Sequence, residues 1–209
     1  RTTALDDILF VASPRTGFGY FRNFGRTRRQ GLELVAGAAL KRLSLAASYT
    51  LLDATYRSAE TVGGAGNSTN SDGPGGEGTI QIRPGNRIPL LPRHLFKASA
   101  DWQALPWLAL NADVQAASGV FARGNENNAH QPDGGIYPGA GTTRGWAVLN
   151  LGATLQPLPW LSLIMQVDNV LDARFATAAQ LGATVFDAQG RFNPLQAGPD
   201  AAQGGTFLG

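Results

Sequence analysis

The side chains that could carry chemistry are few and scattered. The 209 residues include two histidines and no cysteine, so the chain can build neither a thiolate metal site nor a disulfide framework. His130 lies near Glu126 and Asp133, and imidazole with carboxylates can ligate a metal. The spacing fits no metal motif, however, and solvated loop residues are the expected role. His94, just after Pro92 at a strand start, reads as a rim residue. Asp53, Asp101, Asp113 and Asp168 would have to converge to act as paired acid and base. They fall on the polar faces of separate strands, which suits structure better than catalysis. The stretch from Gly63 to Gly78 has no Lys-Ser/Thr ending and no helix pattern after it, so it is no phosphate loop; it reads as a flexible loop. Arg22, Arg26, Arg28 and Arg29 cluster, but the net charge is only +2. They read as a charged strand end, and no nucleic-acid partner is expected. Neither a cofactor nor an enzymatic activity is expected. One segment, 123–133, is dense in groups that hydrogen-bond a polar ligand. Its candidates for ligand contact are Arg123, Asn125, Glu126, Asn127, Asn128, His130 and Asp133, with a plain solvated loop as the competing role.

The elements that hold these residues read as strands. Only 15% of residues are charged, against about 25% in ordinary soluble domains. No run reaches the roughly 18 apolar residues of a membrane helix, and no signal-peptide pattern opens the chain. The chain reads as a fragment whose targeting segment lies upstream. The dominant period is two, as in a strand. Leu43, Leu45, Ala47, Tyr49 and Leu51 alternate with Ser44, Ala46, Ser48 and Thr50. Leu110, Ala112, Val114 and Ala116 alternate with Asn111, Asp113 and Gln115. Segments at 32–40, 96–103, 147–155 and 161–168 behave alike. The expected strands are 3–11, 19–39, 43–57, 92–104, 107–121, 145–156 and 160–175, each paired antiparallel with the next. Connections alternate between very short ones, at 40–42, 104–106 and 156–159, and long polar ones, at 58–89, 122–144 and from 176 onward. Short and long connections taking turns mark an up-and-down meander with unequal ends, as in transmembrane barrels.

A weak repeat supports this. Segments beginning at Arg42, Trp107 and Trp160 each follow a short turn and start a strand, and Leu-Pro-Trp recurs at 105–107 and 158–160. Trp102, Trp107 and Trp160 suit a membrane interface on the short-turn side. The fold class expected is therefore all-β: an antiparallel up-and-down meander of about seven strands, part of a transmembrane β-barrel. Leu34, Ala36, Leu45, Tyr49, Phe96, Trp102, Leu110, Val114, Leu149, Leu151, Leu163 and Val167 are expected on the lipid face. Glu33, Lys97, Asp101, Asp113, Gln115 and Asp168 are expected on the concave side.

Four segments resemble the TonB-dependent outer-membrane receptors. Residues 20–34, from Tyr20 through Asn23, Gly25, Thr27, Gly31 and Glu33 to Leu34, are similar to that family's N-x-G-x-T-x-x-x-G-x-E strand, and 43–56 resembles the strand that follows. Gly85-Asn-Arg-Ile-Pro-Leu-Leu-Pro-Arg-His94 is similar to its G-x-x-I-P-x-x-P-x-H segment. Val167-Asp-Asn-Val-Leu-Asp172 with Phe175 is similar to its V-x-N-L-x-D-x-x-Y segment. The resemblance covers nearly the whole chain. It implies a bacterial outer-membrane barrel of about 22 strands with a plugged lumen. It also implies uptake of a scarce ligand, often a ferric siderophore, sometimes haem, cobalamin or sugar, driven by TonB pulling on the protein's own N-terminal plug. The plug is absent from these residues, as is the aromatic-ended closing strand, so residues 1–209 read as one partial barrel domain. Outer-membrane lipid is a further implied partner. The alternatives from other classes are a passive porin-like channel and a soluble all-β binding module. An upstream plug would separate the receptor from the porin, and a need for detergent would exclude the soluble module.

Overall fold

The computed structural model describes residues 1–5, 7–12, 19–64, 66–73, 78–133, 137, 139–183 and 204–208. Among them every regular element is a strand. Seven strands form one antiparallel sheet, in the order β1 (Thr2–Ala4), β4 (Thr27–Leu40), β5 (Leu43–Tyr56), β8 (His94–Leu105), β9 (Leu108–Ala117), β10 (Trp146–Leu158) and β11 (Leu161–Val167). Three two-stranded sheets accompany it: β2 (Asp7–Ala12) with β3 (Gly19–Phe24), β6 (Glu60–Gly63) with β7 (Thr79–Ile82), and β12 (Ala179–Ala183) with β13 (Gly204–Leu208). The tight turns fall at Lys41–Arg42, Pro106–Trp107 and Pro159–Trp160. A proline there presets φ and gives up no ladder donor.

The register sorts the side chains as the alternation requires, because residues directly opposite one another share a face. Val114 lies between Ala98 and Leu149, and Ala98 opposes Ala47, which opposes Ala36. One residue away, Asp113 lies between Ser99 and Asn150, and Ser99 opposes Ala46. Through the middle of the sheet the two sets of rows keep register, and they shift only beside two of the short turns, between Gln103 and Leu105 and between Leu155 and Leu158. Two hollows, of about 300 and 370 Å³, lie chiefly over the polar rows. Ser48, Lys97, Ser99, Asp113 and Gln115 line the first; Ser44, Asp101, Gln103, Asn111 and Thr154 line the second. That face is the concave one.

The apolar face is uncovered. Leu34 is 54% exposed, Trp102 50% and Leu163 48%, and Trp160 at a short turn reaches 79%. A sandwich would bury such a face under a second sheet. Here the core sits at the long-loop end instead: Phe24, Tyr56, Val62, Ile80 and Ile82 pack together, with Ile88 against them. A smaller cluster joins Ala122, Ala179 and Leu181. A sheet with an open apolar band and its core gathered at one rim matches strands bathed in lipid.

Four boundaries differ from the alternation. The expected strand 3–11 is two: Thr2–Ala4 pairs with β4, whereas Asp7–Ala12 pairs with β3 as a separate hairpin. The expected strand 19–39 breaks at Gly25–Arg26, where the chain crosses so close to Ser58 that a Cβ on Gly25 would meet its Oγ. The strand expected at 107–121 stops at Ala117; two residues on, a Cβ on Gly119 would meet the Thr143 carbonyl. The strand expected at 160–175 stops at Val167. Asn169 and Asp172 take left-handed backbone (φ 52° and 48°), and Asn169 Oδ1 accepts from the Ala173 N–H at 2.9 Å.

Candidate functional site

At the end opposite the Pro-Trp turns, two long connections meet. One runs from β5 to β8 through β6 and β7; the other runs from β9 to β10. Asparagines fasten them to each other. Asn67, fully buried, donates from Nδ2 to the Gly124 carbonyl (2.8 Å) and to Asn127 Oδ1 (3.3 Å). Its Oδ1 accepts from the N–H and hydroxyl of Thr69, and Asn127 Nδ2 closes the set on Thr69 Oγ1 at 2.7 Å. Asn125, also buried, donates to the Gly141 carbonyl (3.0 Å) and accepts from the His130 N–H (3.1 Å). Asn128, with φ 56°, pairs through its amide with both backbone groups of Arg87. A third segment joins through backbone hydrogen bonds and through the Ala122, Ala179 and Leu181 cluster: Arg123 N–H donates to the Ala179 carbonyl, and Leu181 N–H donates to the Arg123 carbonyl.

His130 is the hinge of this arrangement and is buried, not solvated as its loop position suggests. Its Nδ1 accepts from the Ser68 N–H at 3.0 Å. Nε2 therefore carries the proton and donates to the Gly139 carbonyl at 3.0 Å. Tyr137 packs edge-on against the ring at 5.8 Å. Burial holds the imidazole below its ordinary pKa, more than the Gly139 carbonyl and Asp133 raise it. Gly141, at φ 66°, closes over the ring; a Cβ there would lie 2.6 Å from His130 Cδ2.

Glu126 is half-buried. Its Oε1 accepts from the Gly124 N–H at 3.0 Å, while Oε2 is sealed from solvent without a partner. Burial raises its carboxyl pKa, the Gly124 N–H opposing. Asp133 is exposed and accepts from the Tyr137 N–H at 2.7 Å. Arg123 presents an exposed side chain. The seven candidates thus divide. Asn125, Asn128 and His130 build the rim, Asn127 locks two loops, Glu126 caps the Gly124 N–H, and Arg123 and Asp133 border the surface. Asn67, Ser68 and Thr69, on the other connection, belong to the same unit. The Gly-Asn-Ser-Thr-Asn run at 66–70 is their only signal in the sequence, and there it reads as part of a flexible loop.

The remaining chemical candidates stay apart. Among the described residues no three of His, Asp and Glu gather to hold a metal. His94 opens β8 and is exposed, its Nδ1 2.7 Å from Tyr49 Oη. Asp101 and Asp113 lie on the polar face, and Asp168 accepts from Gln166 Nε2 at 2.8 Å. Asp53 corrects its expected place: the register puts it in the outward row of β5, with Leu51 and Tyr49. There it accepts from Gln30 Nε2 and lies 3.6 Å from the Arg28 guanidinium. Arg29 turns inward to Asp7 at 3.0 Å.

The sequence model of the family described as TonB dependent receptor-like, beta-barrel matches residues 1–170. Curated protein sequences give no match. The fold is similar to that of the siderophore receptor PiuA from Acinetobacter baumannii. The TM-score is 0.57 at 18% identity, over 77% of this chain and 20% of that one. It is also similar to the closed form of the ferric-catecholate import receptor Fiu from K12 E. coli. There the TM-score is 0.53 at 17% identity, over 88% of this chain and 21% of that one. The chain spans about a fifth of the length of these receptors. With its sheet, its uncovered apolar face and its matched residues in agreement, the chain belongs to the TonB-dependent receptor β-barrel family of the bacterial outer membrane.

Proposed function

We propose that these residues form part of an outer-membrane receptor for TonB-dependent uptake of a ferric siderophore, admitted without chemical conversion. The observation that carries the reading is the match of residues 1–170 to the family's barrel, joined to the fold likeness with two receptors whose names specify siderophore or ferric-catecholate import. The concave face adds support for a plug within the lumen. Val35 and Ile164 stand 84% and 78% exposed on that side, as suits residues covered by a further domain through which TonB would act. All 209 residues would then be one stretch of barrel. Uptake of radioiron by an iron-starved strain lacking its own siderophore receptors tests this. Expression of the complete receptor should restore accumulation from a ferric catecholate, and deletion of TonB should abolish it. Accumulation that persists without TonB would point to a passive channel.

Within that reading, the 123–133 segment helps capture the ligand. Arg123, Asn127 and Asp133 border the surface of a rim that Asn125, Asn128 and His130 hold in shape, and Glu126 caps the Gly124 N–H beneath it. Rigidly supported loops are where binding groups concentrate. Deleting 125–132 would remove the rim's own fasteners, so the sharper test is Arg123→Ala with Asp133→Ala. Weakened ligand binding with normal surface display supports capture by this loop; unchanged affinity rules it out.

A further inference from the structure

The connection that follows β11 folds inward across the mouth at the long-loop end. It leaves the sheet at Asn169, whose N–H donates to Asn150 Oδ1 at 2.9 Å, while the Val170 N–H donates to the Leu149 carbonyl at 2.8 Å. The Asn169 amide then closes on both backbone groups of Ala173. Two residues on, Phe175 stacks on Trp146, with ring centroids 4.7 Å apart and planes 23° apart. Trp146 alternates with Ala147 of the outward row, so it belongs to the inward row with Val148 and Asn150. At Phe175 the chain therefore passes β10 on the lumen side. It goes on to reach the connection between β9 and β10. There it holds the Arg123 backbone through both of its groups: the Arg123 N–H donates to the Ala179 carbonyl at 2.9 Å, and the Arg123 carbonyl accepts from the Leu181 N–H at 2.7 Å. Leu181 and Gly182 are seated between glycines of the other two long connections. A Cβ on Gly124 would come 2.9 Å from Leu181 Cβ, and one on Gly66 would come 3.0 Å from the Gly182 nitrogen. Ala179 and Leu181 are buried in this seat, while the Arg123 side chain beside them is exposed. The connection is thus a strap, tied to the sheet at Asn169 and Phe175, that in turn holds Arg123.

We infer that Phe175 is a positioning residue for ligand capture: stacked on Trp146, it holds the strap so that residues 179–181 present Arg123 to an anionic oxygen group of the ligand. This rests on the uptake reading above. A guanidinium fork pairs with two oxygens of an anionic group only when both hydrogen bonds are aligned. The backbone aims so long a side chain, and at Arg123 both backbone groups are bonded to the strap. An aromatic stack contributes about two- to tenfold to such an equilibrium beyond the area it buries. Phe175 is 45% exposed, so its truncation opens no closed cavity and acts chiefly through the lost stack. In this role Phe175 itself touches no ligand.

The test uses the complete receptor in detergent, as wild type, Phe175→Ala, Phe175→Tyr, Arg123→Ala and the Phe175→Ala, Arg123→Ala pair. Hydrogen exchange reads the tether. Protection of the Arg123 and Leu181 amides should fall about two- to tenfold in Phe175→Ala, the worth of one aromatic pair, and return in Phe175→Tyr. Unchanged protection in Phe175→Ala would overturn the inference. Binding of a synthetic ferric tris-catecholate reads the positioning as a double-mutant cycle. Phe175→Ala should weaken binding by about two- to tenfold where Arg123 is present, again the worth of the stack. It should have no effect where Arg123 is already alanine. Equal weakening in both backgrounds would overturn the inference, because a merely structural role loosens the mouth whether or not Arg123 is there. If Phe175→Ala does not assemble, as judged by its heat-shifted gel mobility, Phe175→Leu keeps apolar bulk without a ring and is held to the same two criteria. A wild type that does not bind the chelate would sink the uptake reading, and the exchange measurement then decides the tether by itself.

Discussion

His130 shows how one side chain can set the state of a surface. Its two ring nitrogens join residues from different connections, and only the neutral ring can accept at Nδ1 while donating at Nε2. Burial lowers its pKa in the docked loops from the ordinary 6.5. The undocked loops therefore take up a proton that the docked loops resist, and docking must weaken as pH falls. Its contribution is complete above about pH 6.5 and is lost progressively below it, with Asp133 partly offsetting the loss. Hydrogen exchange at the Ser68 and Asn125 amides should accelerate between pH 7 and 5.5 beyond the intrinsic change. Protection unaffected by pH in this window would refute the assignment. His130→Ala should lower local protection by about 1–3 kcal/mol by leaving the Ser68 N–H and Gly139 carbonyl unpaired. Gly141→Ala should act in the same direction, because its left-handed backbone and 2.6 Å approach to the His130 ring both oppose a Cβ. Exchange matching wild type in that variant would show that the contact is relieved without cost.

At the scale of the strand, what matters is which row a residue occupies. Leu163 is 48% exposed on the outward face, where it opposes Leu155, and Val114 lies on the same face opposite Leu149. An arginine at Val114 should cost about 2–4 kcal/mol, the midplane value, and one at Leu163, closer to the Pro159–Trp160 turn, less; both should reduce outer-membrane assembly. Gln115→Arg, one residue from Val114 but in the concave row beside Lys97, should assemble normally. Surface display of the three variants checks this; equal display of all three would contradict a lipid-facing outward row. These rows were legible in the sequence because period-two alternation survives wherever one face meets a uniform medium. It failed where another force took over. Where Asn169 and Asp172 turn left-handed, the Asn169 side chain closes the turn by hydrogen bonds to both backbone groups of Ala173, although Val170 and Leu171 continue an apolar pattern. The β6–β7 hairpin was hidden because Thr79-Ile80-Gln81-Ile82 is too short to stand out beside a glycine-rich stretch. The rim escaped for a different reason. Its hydrogen bonds join Asn67 and Ser68 to residues about sixty positions away, and no local pattern records such a pairing.

At the scale of the molecule, the sheet is open. β1 covers β4 only from Thr27 to Arg29, so among the described residues the outer edge of β4 from Gln30 to Leu40 has no strand beside it. The outer edge of β11 is likewise unpaired. In water such edges recruit other chains, and in a hydrocarbon phase each unpaired N–H and carbonyl costs several kcal/mol. A chain spanning about a fifth of its solved relatives cannot satisfy both edges by curling alone, because about eight strands are needed to close even a narrow barrel. On the proposed reading, neighbouring strands of a complete receptor complete these ladders. The prediction concerns residues 1–209 expressed alone and refolded into dodecylmaltoside. They should elute as polydisperse, edge-paired assemblies, with strand content by circular dichroism but no heat-modifiable monomer band. The complete receptor, treated alike, should give a monomer whose gel mobility shifts on boiling. Light scattering with chromatography separates the two outcomes. A monodisperse, heat-modifiable monomer from residues 1–209 would mean that this sheet closes on itself, and that its edges do not need the remainder of the barrel.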